Sequence, residues 1–180
     1  FALEIGASAV AVHASPGILA MPGGRWSQDT ESPAVQDELI HQEQLLLEAL
    51  RELAGFAPEI PICLENLVYP HELYRSPREM RELLEKVGCP NVQATLDVGH
   101  AVVSGWDPVR FVHDNFETIR HVHLHDNHGF VDEHLPLGQG TIDYLHVIKA
   151  LQQHGYEGVI TFEFYPESPE RFADYLRQFS

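Results

Sequence analysis

The chain is 180 residues long, with 44% hydrophobic and 21% charged residues, which fits one soluble globular domain with a sizeable core. Its net charge of -16, from 27 acidic and 11 basic residues, repels phosphate backbones and anionic lipid, so nucleic acid and membrane are excluded as default partners. No apolar run approaches the ~20 residues of a membrane span. No signal peptide is evident, because Phe1–Gly6 read as the end of a helix, and a cytoplasmic location is expected.

The first expected strand covers about 8–13 and stops on His13 in SAVAVHASPG. Gly17–Pro33 reads as a long loop at the ligand end of that strand, and Ser32–Ala54, rich in Glu, Gln and Leu, as a long helix. A second strand, about 60–65, stops on Glu65 in EIPICLEN. Ser76-Pro77-Arg78-Glu79 is a capping box with proline at the first helical position, and Gly88 closes that helix. The third strand, about 92–97, stops on Asp97 in VQATLDVGH, and Asp107-Pro108 opens the next helix. The fourth, about 119–125, carries His123 in RHVHLHD; Thr141–His154 reads as a helix ended by Gly155. The fifth, about 158–164, carries Glu163 in GVITFEFY. Cys63 and Cys89 form no C-x-x-C pair and read as reduced core thiols.

Strands that alternate with helices build a parallel sheet, which puts all strand C-termini at one end. Side chains alternate faces along each strand. Ile62 and Leu64 oppose Cys63 and Glu65; Val92, Ala94 and Leu96 oppose Gln93, Thr95 and Asp97. Val122 and Leu124 oppose His121, His123 and His125, while Ile160, Phe162 and Phe164 oppose Val159, Thr161 and Glu163. One face therefore suits helix packing, and the other ends in polar groups gathered at a barrel mouth. The expected class is α/β, a (β/α)8 TIM barrel of which residues 1–180 form one domain supplying about the last five βα units.

Glu65, Asp97, His123 and Glu163 would then hold a divalent cation, leaving positions for water or substrate oxygens, which makes an enzyme the leading reading. Oxygen-rich ligation favours Mn, Mg or Co over a thiolate-type zinc site, with Zn still admissible. His100, Asp132 and His134 form a second group, a candidate for a further metal or for substrate, and His13 could serve either group. His121 and His125 share the parity of His123 and could line the interior, and His128 could reach substrate. His41, His71, His113, His146 and His154 read as surface residues. Arg25 is a candidate anion contact for substrate. Leu137-Gly138-Gln139-Gly140-Thr141 is a tight turn into a helix, better suited to positioning the mouth than to gripping phosphate.

CLEN at 63–66, LDVGH at 96–100, HVHLHDN at 121–127, DEHLPLGQGTID at 132–143 and ITFEFY at 160–165, taken together, resemble the xylose isomerase-like barrel superfamily. That superfamily includes endonuclease IV and many sugar or sugar-phosphate isomerases and epimerases, and His13-Ala-Ser-Pro-Gly17 looks like the H-P-G turn near the fourth strand of endonuclease IV. The resemblance implies that Glu65, Asp97, His123 and Glu163 hold the catalytic metal. In the ketose epimerase branch it implies that Glu65 and Glu163 move protons through an enediolate and that His100 contacts substrate. In the endonuclease branch it implies an additional metal on His100, Asp132 and His134.

The resemblance begins near the fourth strand, and five strands cannot close an eight-stranded barrel, so bare edges invite association with further sequence or with another chain, as in a homo-oligomer. The leading expectation is a metal-dependent isomerase or epimerase acting on a small sugar or sugar phosphate. The alternatives are an endonuclease IV-like abasic-site phosphodiesterase, a dehydratase or lyase on the same metal site, and a non-catalytic binding module or inert fragment.

Overall fold

A computed structural model describes residues 2, 4–13, 20–21, 25–26, 32–69, 72–165 and 168–177. Strand β1 (Val10–His13) is followed by two short strands, β2 (Ala20–Met21) and β3 (Arg25–Trp26), which pair antiparallel inside the expected loop. Helix α1 (Pro33–Phe56), strand β4 (Ile62–Glu65), helix α2 (Pro77–Val87) and strand β5 (Val92–Asp97) come next. Helices α3 (Val98–Val103) and α4 (Pro108–Asn115) lead to strand β6 (Ile119–Leu124), helix α5 (Tyr144–Gln153), strand β7 (Val159–Phe162) and helix α6 (Pro169–Arg177).

The main sheet is parallel, in the order β1-β4-β5-β6-β7, and forms part of a TIM barrel. Side chains separate by parity as the sequence predicts. Ile62, Leu64, Val92, Ala94, Leu96, Val122 and Leu124 enter the core beneath the helices. Glu65, Asp97 and His123 occupy the other face, and Glu163 follows β7 at its C-terminal end. One irregularity decides the register there. Ala94 pairs with Ile119 but Thr95 pairs with His121, so β6 carries one extra residue. The slip puts His123 opposite Asp97; an unbroken ladder would have put Val122 there.

Helix boundaries follow local chemistry. The Ser76 hydroxyl accepts from the Glu79 N–H at 3.1 Å, and the Glu79 carboxylate accepts from the Ser76 N–H at 3.0 Å. Gly88 closes α2 at φ 68°, and Asp107 caps α4 through the Val109 N–H. The helix expected from Thr141 instead starts at Tyr144. Asp126 explains the delay. Its carboxylate accepts from the N–H groups of Asn127, Gly138, Gly140 and Ile142 at 2.9–3.0 Å. These bonds wind 137–142 around a buried acid before the chain can turn helical. The glycine-rich turn therefore spends its N–H groups on an internal carboxylate. A Cβ on Gly140 would overlap the Asp126 carboxylate and the Asn127 carbonyl.

Cys63 is a buried free thiol, while Cys89 is only half-buried. His41, His113, His146 and His154 are exposed, and His71 lies outside the described residues. Among the described residues no helix is long and apolar enough to cross a membrane.

Asp126→Ala leaves up to four N–H groups without their acceptor, each worth about 1–3 kcal/mol when buried. Chemical denaturation is expected to show a loss of at least ~3 kcal/mol. A loss under ~1 kcal/mol would mean that the turn is held by other contacts.

Candidate metal centre

The rim is assembled by side chains that bind backbone across neighbouring strands. Asn66, just beyond β4, donates to the Asp97 carbonyl at 3.0 Å and accepts from the Asp97 N–H at 2.8 Å. This pair of bonds locks the end of β4 to the end of β5. The Asp97 Oδ1 then caps α3 by accepting from the His100 N–H at 2.7 Å. Glu163 continues the β7 ladder through its N–H to the Leu124 carbonyl at 3.1 Å. The residue types at these positions thus fix one another's backbone before any ligand arrives.

Ligand atoms of Glu65, Asp97, His123 and Glu163 all lie within 4.8 Å of one another. His123 Nδ1 faces Glu163 Oε2 at 3.2 Å, Glu65 Oε2 at 3.4 Å and Asp97 Oδ2 at 3.6 Å. Glu65 and Asp97 are 1% and 0% exposed. Glu65 Oε1, Asp97 Oδ2 and His123 Nδ1 are buried without an aligned hydrogen bond. Buried polar atoms without partners are rare, and a ring of oxygens around one imidazole nitrogen fits a hard divalent cation. The four residues therefore suit the group that the sequence pattern implies.

A second group, which lies beside the first, contains His100, His125, Asp132 and His134, again with ligand atoms within 4.8 Å of one another. Asp132 Oδ2 lies 3.2 Å from His100 Nε2 and 3.0 Å from His134 Nε2. In both histidines Nδ1 meets a backbone carbonyl: Asn66 O at 2.9 Å for His100 and Glu163 O at 2.8 Å for His134. A carbonyl can only accept, so Nδ1 carries the proton in each ring. In the neutral form this leaves both Nε2 atoms bare toward Asp132, an arrangement typical of metal-ligating histidines.

The other expected residues have different placements. His13 meets the first group, with Nε2 3.1 Å from Glu65 Oε2 and a side chain 60% exposed. The Arg25 side chain and residues 14–17 lie outside the described residues. His128 turns to Glu133, 2.9 Å from its Oε2, and His121 meets the Thr161 hydroxyl at 2.7 Å. His125 joins the second group although the sequence gives it no assigned role; its parity with His123 is the one signal that points inward.

Burial pulls the His123 pKa down, but the Asp97, Glu163 and Glu65 carboxylates outweigh it and raise the value well above the usual range. For His100, burial is overcome by the bond to Asp132 and by the Asp97 and Glu65 charges, which lift it to about 9. Burial would raise Asp97, yet the nearby His123 imidazole and the bond from His125 hold it well below the ordinary carboxylate range. Asp132 is lowered in the same way, burial being outweighed by His100. Glu163 is lowered chiefly by the adjacent His123 imidazole.

A family profile described as xylose isomerase-like TIM barrel matches residues 1–179. An uncharacterized Methanocaldococcus jannaschii protein, MJ1311, is 38% identical over 63% of this chain and 41% of its own length. Inosose dehydratase of Geobacillus thermodenitrificans is 27% identical over 91% of this chain and 59% of its own. The solved structure of a D-tagatose 3-epimerase-like protein is 31% identical, covering 99% of this chain and 65% of that one, with a TM-score of 0.76. The chain thus spans less than two thirds of the length of each of these relatives.

The raised histidines set the pH dependence of the cation-free protein. Their contribution is fully present below the unfolded value of 6.5 and is lost as pH rises through the folded value, about 9 for His100. The lowered Asp97 and Asp132 contribute above 3.8, and Glu163 above 4.5, and these contributions are lost as pH falls. Thermal melts with chelator should therefore show a maximum at about pH 4.5–6.5 and a fall toward pH 9. A profile that is level from pH 6.5 to pH 9 would contradict charged imidazoles in this cluster.

Proposed function

The chain belongs to the xylose isomerase-like TIM barrel family, and from that membership we propose a metal-dependent isomerase or epimerase of sugars or sugar phosphates. One observation carries the reading: Glu65, Asp97, His123 and Glu163 bring ligand atoms within 4.8 Å of one another, and Glu65 Oε1, Asp97 Oδ2 and His123 Nδ1 are buried there without an aligned hydrogen bond. Those four would hold a divalent cation of the Mn, Mg, Co or Zn class. When bound, such a cation supplies a Lewis acid for the carbonyl and adjacent hydroxyl of the sugar.

The protein's own part is positioning and proton transfer. Glu65 stands on β4 and Glu163 just beyond β7, three strands further along the sheet, with Asp97 on β5 and His123 on β6 between them. A sugar seated over the cluster presents opposite faces to these two carboxylates. One glutamate takes the proton from the carbon next to the carbonyl, and the other returns a proton to the opposite face of that carbon, which inverts it. Return to the neighbouring carbon would give an isomerase instead. Glu163, with a side chain 40% exposed, has room to meet substrate, and the buried Glu65 is fixed in orientation. His100, held through Nδ1, and Arg25 are the proposed substrate contacts, and open sheet edges suit a homo-oligomer. The likeness to a D-tagatose 3-epimerase-like protein supports a sugar substrate.

Loss of water on the same site is a second reading, favoured by the likeness to inosose dehydratase over 91% of this chain. The second histidine group favours a third, a multi-metal phosphodiesterase, against which the charge of -16 weighs.

The test follows solvent deuterium into a panel of ketoses and ketose phosphates with Mn or Co present. Exchange at carbon next to the carbonyl without change of carbon skeleton is expected. Glu65→Gln and Glu163→Gln should each slow it about 10²–10⁴-fold. A product lighter by one water selects the dehydratase, and no exchange across the panel overturns the isomerase reading.

A further inference from the structure

His125 belongs to the second group, and the proposed chemistry gives it no part. It follows β6 directly, is completely buried, and stacks on His134 with ring centroids 4.0 Å apart and planes 15° from parallel. A Cβ on Gly99 would overlap its ring, so the backbone of α3 makes room for this imidazole. Such close seating fixes where its nitrogens point.

Nε2 lies 3.1 Å from Asp97 Oδ1 and 3.7 Å from Asp132 Oδ1, between the two groups. Nδ1 is buried and has no hydrogen-bond partner. Here His125 differs from His100 and His134, whose Nδ1 atoms are tied to carbonyls. To ligate a cation through Nε2, His125 would have to carry its proton on Nδ1, where nothing accepts it, at the cost of a buried unpaired donor. The favoured neutral form keeps the proton on Nε2 and donates it to Asp97.

We infer that His125 is a positioning residue for Asp97 and not a ligand of the second group. Asp97 Oδ1 then receives two donors, the His100 N–H at 2.7 Å and His125 Nε2 at 3.1 Å. Oδ2 is left without an aligned donor and faces His123. Saturating one oxygen turns the other toward the shared cation position and stops the carboxylate from rotating. The inference rests on the reading that Glu65, Asp97, His123 and Glu163 hold a cation.

Calorimetric titration of the chelator-treated protein with Mn²⁺ tests it, with Co²⁺ absorption spectra as a second readout. His125→Gln keeps an N–H donor near the Nε2 position and is expected to stay within about threefold of the parent affinity, with unchanged stoichiometry. His125→Leu removes the donor and is expected to bind about 10–100-fold more weakly, again with unchanged stoichiometry and with an altered Co²⁺ spectrum. If the leucine variant does not fold, His125→Asn, whose amide falls short of Asp97, takes its place with the same expectation. Loss of one whole equivalent of cation in both the glutamine and the leucine or asparagine variants would make His125 a ligand and overturn the inference. Parent-like affinity in the leucine or asparagine variant would reduce the imidazole to filler and overturn it as well. A parent protein that binds no Mn²⁺ or Co²⁺ would instead remove the cation-site reading on which the inference stands.

Discussion

Two carboxylates taken almost completely out of water, Glu65 and Asp97, set the terms for the rest of this molecule. With Glu163 they crowd around one imidazole nitrogen. Like charges about 4 Å apart repel by ~4 kcal/mol at an effective dielectric of 20, and desolvation adds to that. Either protons on the neighbouring histidines or a cation must compensate. The directions of the histidine and aspartate pKa values, up for His100 and His123 and down for Asp97, correspond to the first solution. A bound cation would be the second, and it would displace those protons because ligating imidazoles must be neutral.

A cluster so costly holds together only on a rigid frame. Asn66 joins the ends of β4 and β5, and the extra residue in β6 brings His123 opposite Asp97. Asp126 gathers four N–H groups to shape the loop beyond β6. Asp126 also exchanges two backbone bonds with Leu135 at 2.8 Å, which fixes the base of the loop that carries Asp132 and His134. Buried polar side chains are thus used twice: a layer that binds backbone and an inner layer left free for chemistry. The inner layer could not keep unpartnered atoms if the outer one were loose.

Much of this was legible in the sequence because it obeys local rules. Period-two alternation assigned Leu64, Leu96 and Leu124 to the core and Glu65, Asp97 and His123 to the opposite face. Capping chemistry placed the start of α2 at Pro77 and its end at Gly88. What escaped depends on partners distant in the chain. The three-residue delay of α5 comes from Asp126, a residue whose sequence neighbours give no sign that it collects N–H groups from 138–142. His125 has the right parity, but its role depends on Gly99 leaving space and on His134 stacking from a loop. The Asn66–Asp97 lock spans 31 residues and follows no spacing rule.

Exposure follows a gradient across the sheet. In the middle strands the inward residues Cys63 and Thr95 are fully buried, but at the edge strands Ala11 and Thr161 are exposed. The site residues follow the same gradient: Glu65, Asp97 and His123 are buried, whereas His13 and Glu163 stand near the open edges. The buried half is held by this chain's own hydrogen bonds, the Asn66–Asp97 pair and the Asp97 cap on the His100 N–H. The most buried members of the first group therefore stand at the centre of the sheet, and the more exposed His13 and Glu163 at the margins.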